Sequence, residues 1–280
     1  MTLLVVGSLH LDVVVRAPHL PALDETVTGS AVDYVFGGKG GNQALAAARM
    51  GAQVSFAGRA GTDRFGDMIR DELHTGRVES SQLQSDSGPS GMSVAIVDAQ
   101  GDYGAVIVSA ANLQIDVSQL RVAADTRLVL LQNEIPEVVN IAMARKAEAA
   151  GAQVWLNAAP ARNVSEDLMQ AVDLLIVNRV EDAFYTDVSG PDRLTTLGAA
   201  GAHYAGQIHS GFDVDVISTH GAGDAFVGAL AAQVVAGTPV SDAIEFAQAA
   251  AALHVSSALQ DRAVLTPEIV RAFLASQPSR

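Results

Sequence analysis

Asp215-Val-Ile-Ser-Thr-His-Gly-Ala-Gly-Asp224 runs directly into Ala225-Phe-Val-Gly-Ala-Leu-Ala-Ala-Gln-Val-Val235, and the join between the two decides how the chain is read. The small residues Gly221-Ala222-Gly223 remove side-chain bulk where a strand is expected to turn into a helix. Backbone N–H groups at such a helix start point at any anion that comes close. Asp224 stands at the same entrance. A carboxylate beside an anion-binding turn repels what the amides attract, which makes sense if the acid takes a proton from a hydroxyl while the amides stabilise charge on the group under attack. The plainer reading is that Asp224 is a first-turn acid favoured by the helix dipole, with Gly221 and Gly223 serving a tight turn. Taken alone, the stretch supports both.

Composition narrows the class. The chain has 280 residues, of which 49% are hydrophobic and only 17% charged. That is enough for a large core and too apolar for extensive disorder. Against 31 acidic residues there are 17 Lys and Arg, a net charge of −14, which argues against a nucleic-acid backbone binder. Cysteine is absent, removing disulfides, thiolate nucleophiles and Cys-based zinc sites. No stretch approaches the ~18 apolar residues of a membrane span, and Met1-Thr-Leu-Leu-Val-Val-Gly7 has no basic lead-in, so a cytoplasmic protein is expected.

Working outward, residues 3–6 form an apolar run suited to a strand buried on both faces of a parallel sheet. His10 and Asp12 follow it, where open α/β sheets bind ligands, although a solvated loop would carry them equally well. Residues 12–16 and 26–29, separated by Pro18 and Pro21, are expected to form a hairpin. Gly37-Gly-Lys-Gly-Gly-Asn-Gln-Ala44 opens an alanine-rich helix over 42–50, with Lys39 and Asn42 as directed donors. It is no Walker A loop, because Gly40 follows the lysine. A helix over 63–74 is expected to bury Phe65, Met68, Ile69 and Leu73. Residues 93–98 and 103–109 alternate around Gln100-Gly101-Asp102 as a second hairpin. The two hairpins together predict a β flap whose apolar edges favour a homodimer. From residue 128 the pattern is βα, with strands at 128–131, 154–156 and 174–177 and a helix at 136–150. Asp12, Glu134, Asn157 and Asn178 are expected at one sheet edge. Asn178 and Glu181, three apart, read either as a capping pair or as residues holding a metal's waters.

The two glycine stretches, 37–44 and Ser218-Thr-His-Gly-Ala-Gly-Asp-Ala-Phe-Val-Gly228, resemble in this order the paired signatures of the ribokinase (PfkB-type) carbohydrate kinases. Gly7-Ser-Leu-His-Leu-Asp12, Gly29 after Glu25-Thr-Val-Thr, Gly61-Thr-Asp-Arg-Phe-Gly66, Ala110-Ala-Asn112 and Asn157-Ala-Ala-Pro-Ala-Arg162 extend the similarity over nearly the whole chain. The resemblance implies a three-layer α/β core (1–11, 37–90 and 110–280) with a small β-sheet lid (12–36 and 91–109). It implies ATP and Mg²⁺ dependence and phosphoryl transfer to a primary hydroxyl of a pentose-like sugar, D-ribose first. Carried over by motif, Asp224 is the general base, and the amides around Gly221, Ala222 and Gly223 form the anion hole. His10, Asp12, Gly38, Lys39, Asn42 and Glu134 face the sugar. Asn178, Thr196, Gly198, Gly201, His220 and Gln248 face the nucleotide, and Glu181 faces Mg²⁺ through water. The homodimer expected from the flap edges would then be joined through the lid.

The sequence departs from the family at several points. His10 stands in place of the usual Asn, and Gln248 in place of a residue near adenine. Ser218 replaces an Asp that helps bind an activating monovalent cation, and Ser256-Ser-Ala-Leu-Gln-Asp-Arg262 lacks the family's glycine, so the resemblance does not carry a potassium site over. Between Glu181 and Thr196 a helix and a strand are expected but the segment is short, which leaves little chain for a crossover. The alternatives are a kinase for another sugar or a nucleoside, or a catalytically weak sugar- or nucleoside-binding sensor.

Overall fold

The apolar runs without alternation become the central strands, each covered on both faces. The computed structural model describes residues 1–277. In chain order these hold β1 (Thr2–Val6), β2 (His10–Arg16), β3 (Ala31–Gly37), α1 (Lys39–Arg49), β4 (Val54–Gly61), α2 (Arg64–Thr75), β5 (Glu79–Asp86), β6 (Met92–Val97) and β7 (Tyr103–Val108). There follow β8 (Thr126–Gln132), α3 (Glu137–Ala150), β9 (Gln153–Asn157), α4 (Glu166–Gln170), β10 (Leu174–Asn178), α5 (Arg179–Phe184) and β11 (Asp192–Thr196). The last elements are β12 (Ala202–Tyr204), β13 (Gln207–His209), α6 (Ala222–Val235), α7 (Val240–Val255) and α8 (Pro267–Ser276).

Nine strands form one sheet in the order β13-β12-β11-β10-β9-β8-β1-β4-β5, parallel from β11 to β5 and antiparallel at the β12–β13 end. Its side chains alternate between two cores. Leu3, Val5, Leu128 and Leu130 pack beneath α1, α2, α6 and α7, whereas Leu4, Val6, Val129 and Leu131 pack beneath α3 and α4. The result is a three-layer α/β architecture, as expected. Helix α6 is apolar nearly all round because it lies between α1, α7 and the sheet, with Ala225 to Ala232 all buried. From β1 the chain builds outward through β4 and β5 on one side, then through β8 to β11 on the other. The strand order therefore reverses beside β1, where such sheets bind ligands.

Four strands, β3-β2-β6-β7, form a second sheet. Its two hairpins meet through parallel β2–β6 pairing. The first hairpin differs from expectation: β2 pairs with β3 at 31–37, not with 26–29. Residues 31–36 run straight into the glycine cluster, which hides them as a strand. Asp12 lies in β2, as expected for residues 12–16, and the strand starts two residues earlier, so that His10 is also in it and buried rather than in a solvated loop. In α2, Ile69 and Leu73 are core but Phe65 and Met68 are only half-buried; Phe65 meets Tyr34 of β3 with ring centroids 6.3 Å apart.

The short segment after Glu181 also resolves differently. Strand β11 is present and pairs with β10 along its length. Residues 179–191 cross over with only the short α5, and Arg193 ties them to β11, donating to Asp182 Oδ1 (2.9 Å), the Tyr185 carbonyl (2.7 Å) and the Val188 carbonyl (2.9 Å). Among the described residues no helix is long and apolar enough to cross a membrane.

Candidate active site

Helix α6 begins without a strand before it: residues 210–219 are irregular, and the turn is set instead by Gly221, whose φ of 76° is in the left-handed region. A Cβ is strained there, so glycine is required. The Ala222 amide donates within the turn to the Thr219 carbonyl (3.2 Å), which leaves the neighbouring glycine amides as the better anion donors. Asp224 lies in the first turn.

Two side-chain amides of α1 hold that carboxylate. Gln43 on α1 donates through Nε2 to Asp224 Oδ1 (2.9 Å) and to Asn157 Oδ1 (2.9 Å), and its own oxygen accepts from Gln132 Nε2 (2.9 Å). Asn42 adds a longer contact to Asp224 Oδ2 (3.4 Å). Burial pushes the Asp224 carboxyl up from the ordinary aspartate range, against the opposing pull of Lys39 and Gln43 and with the help of Glu134. Glu181 is likewise raised by burial, while Asn178 and Lys39 pull it down. One lysine therefore serves an acidic neighbourhood.

Asp224 stands between two cavities. One, of about 150 Å³, is lined by Lys39, Asn157, Asn178, Glu181, Thr196 and Gly221 to Asp224. The other, of about 280 Å³, lies between Tyr34 to Phe36 of β3, Asn42 and Arg49 of α1, and His220, His254 and Arg262. An acid shared by two adjoining cavities can pass a proton or a group between two bound molecules.

Residues 2–264 match the model of the pfkB family of carbohydrate kinases. The chain belongs to that family. Among pfkB relatives, ribokinase from Bacillus subtilis is 32% identical over 90% of this chain and 92% of its own length, and ribokinase from Haemophilus influenzae is 30% identical over 98% of each. The structure of Arabidopsis thaliana ribokinase complexed with ribose and ATP superposes with a TM-score of 0.89 at 28% identity, covering 99% of both chains.

The pfkB-type motifs converge only in part on the two cavities. Lys39, Asn42, Asn178, Glu181, Thr196, the 221–223 turn and Asp224 line one or the other, and His220 lines the larger. Asn178 and Glu181 form a complete capping box on α5: Asn178 Oδ1 accepts from the Glu181 amide (2.9 Å) and Glu181 Oε2 from the Asn178 amide (2.8 Å). The capping role and the cavity position coexist. His10, Asp12, Gly38 and Glu134 line neither cavity. Glu134 Oε2 accepts from the Lys39 amide (2.8 Å) and Ser8 Oγ (2.5 Å), capping α1, which has no side-chain cap of its own. Asp12 accepts from Ser93 Oγ across the small sheet (2.5 Å). His10 Nε2 is buried without a partner, beside Gly91 at the base of that sheet. Gly198 and Gly201 form a turn closed by the Leu197 amide on the Gly201 carbonyl (2.8 Å). Gln248 is spent on the His209 carbonyl (2.7 Å) and lines neither cavity. Motif reading passed over Gln43, Gln132 and Arg262. The one signal for Gln43 was a polar residue on the alanine-rich inner face of a helix.

Proposed function

We propose that this pfkB-family kinase transfers the γ-phosphoryl group of ATP to a primary hydroxyl of a pentose-like sugar, D-ribose first, with Asp224 as general base. The observation that carries the reading is Asp224 itself, raised by burial and held by Gln43 between the two cavities at the start of α6. Its carboxylate takes the hydroxyl proton as the sugar oxygen bonds to the γ-phosphorus, while the bond from that phosphorus to the β-bridging oxygen breaks and ADP departs. Lys39 and the glycine amides of the 221–223 turn stabilise charge on the transferring group. Thr196, with the turn holding Gly198 and Gly201, belongs to the nucleotide side. His10, Asp12 and Glu134 serve the sugar side, His10 through its unpaired ring nitrogen, once a sugar occupies the space between the sheets. The ribokinase relatives and the ribose and ATP bound by the Arabidopsis protein support this assignment.

Mg²⁺ fits the site as a cation carried by phosphate. Among the described residues no cluster of three metal ligands exists, and an ion that keeps most of its waters needs none. Glu181 and Asn178 would hold those waters, and the ion would offset charge on the β- and γ-phosphates. A monovalent cation fits poorly, because the carbonyls of Ser218 and His220 already accept from Arg262. The exposed Val106, Ile107 and Val108 on edge strand β7 support dimerisation through the small sheet, and a cytoplasmic workplace belongs to the same proposal.

A panel of pentoses, hexoses and nucleosides assayed for ADP release tests the acceptor. Highest kcat/KM with D-ribose is expected. A nucleoside as the preferred acceptor would overturn the sugar assignment, and ligand binding without turnover on any acceptor would overturn the kinase.

A further inference from the structure

Arg262 is 5% exposed, yet among the described residues it joins no ion pair. Its guanidinium instead faces three backbone carbonyls: Nη1 donates to His220 (3.1 Å), Nη2 to Ser218 (3.2 Å) and Nε to Ser257 (3.4 Å). Three carbonyl oxygens turned on one buried point are a cation site, and here a side chain of the protein fills it. Two of the three belong to the segment leading into Gly221. The His220 carbonyl also accepts from His254 Nε2 (3.0 Å). Burial lowers His254 to a pKa of about 4, so that ring is neutral at working pH and Arg262 is the charge on this carbonyl.

The His220 carbonyl and the Gly221 amide are the two ends of one peptide group. Donation to the carbonyl polarises that group and strengthens its N–H as a donor, by roughly 10–30% per bond in condensed phase. A guanidinium cannot lose its proton, and its planar fork holds two carbonyls at a set spacing. The nearby cost of burying an unpaired cation is offset by the carbonyls.

We infer that Arg262 is the built-in cation of the phosphoryl-transfer site: it holds and polarises the Ser218–Gly221 turn, so the reaction needs no alkali-metal ion. Arg262 acts through the turn as a positioning residue, and the inference rests on the phosphoryl-transfer reading above. A purely structural Arg262 would only staple residues 256–265 to the turn.

The test uses the full chain. Wild-type turnover should agree within about twofold in potassium, sodium and tetramethylammonium chloride at matched ionic strength. Arg262→Ala should lose on the order of 10²-fold in kcat with sugar KM little changed, as when one electrostatic stabiliser is removed. Added guanidinium should restore part of the loss, and Arg262→Lys should retain more activity than Arg262→Ala because it keeps the charge. Several-fold activation of wild type by potassium, or an unchanged kcat in folded Arg262→Ala, overturns the inference. So does a loss in both variants that follows thermal stability and ignores guanidinium. A second readout needs no sugar: calorimetric binding of inorganic phosphate in the presence of Mg-ADP. Binding by wild type that weakens in Arg262→Ala and returns with guanidinium upholds Arg262 even if no acceptor is turned over. Equal binding by the variant, or none by wild type, overturns it.

Discussion

Asp224 is the residue on which chemistry and stability oppose each other. Its replacement by Asn keeps the shape and removes the proposed base, so kcat should fall by ~10²–10⁴-fold. The folded-state pKa is raised, so this group's contribution to stability is full below the unfolded pKa and is lost as pH rises through the folded value. Asp224→Asn should therefore melt no lower than wild type at neutral pH, with any advantage shrinking as the solution is acidified; thermal denaturation at several pH values reads this directly. A melting point depressed only at neutral pH would contradict the sign. The acid limb of the kcat/KM profile should lie above the ordinary aspartate range and vanish in that variant. Gln43→Leu tests the positioning of the carboxylate. It leaves Gln132 and Asn157 short of a partner, costing about 1–3 kcal/mol by denaturant titration, and lowers kcat more than it changes sugar KM. Motifs of local spacing pointed to Asp224, Lys39, Asn42, Asn178 and Glu181, all of which line one or other cavity. Gln43 and Arg262 were not legible, since their partners lie 181 and 42 or 44 positions away.

At the scale of elements, the site depends on how closely α6 approaches α1. A Cβ on Gly228 would lie 2.6 Å from the Ala46 Cβ and 2.7 Å from the Gln43 carbonyl, so the two helices meet at backbone distance. Gly228→Ala should cost about 1–3 kcal/mol as overpacking and should also lower kcat, because α6 carries Asp224 and α1 carries Gln43. Denaturant melts paired with steady-state kinetics check both halves; loss of stability with intact kcat would uncouple helix packing from the site. The strands buried on both faces were readable as unbroken apolar runs. Strand β3 was not, because it merges into the glycine cluster. The crossover to β11 was not legible, because it is tied down by Arg193, a charged residue with no local signal for packing, through bonds to Asp182, Tyr185 and Val188.

For the whole molecule, the reversal of strand order beside β1 brings α1 and α6 to one end of the large sheet, and the small sheet stands beside them. The apolar runs and the βα pattern could place the chain among α/β proteins; the register that brings His10 into β2 required the long-range pairing with β3 and β6. The apolar edge at Val106 and Ile107 leads to the expectation of twice the chain mass by sedimentation equilibrium, with Val106→Lys shifting the protein towards monomer. A wild-type monomer would contradict dimerisation through that edge. The central claim is phosphoryl transfer at Asp224, and its most direct measurement is ADP formation with D-ribose and saturating Mg-ATP, wild type beside Asp224→Asn. Sugar-dependent ADP release by wild type that falls ~10²–10⁴-fold in the variant is predicted; release that the variant sustains undiminished, or that wild type shows equally without sugar, would contradict it.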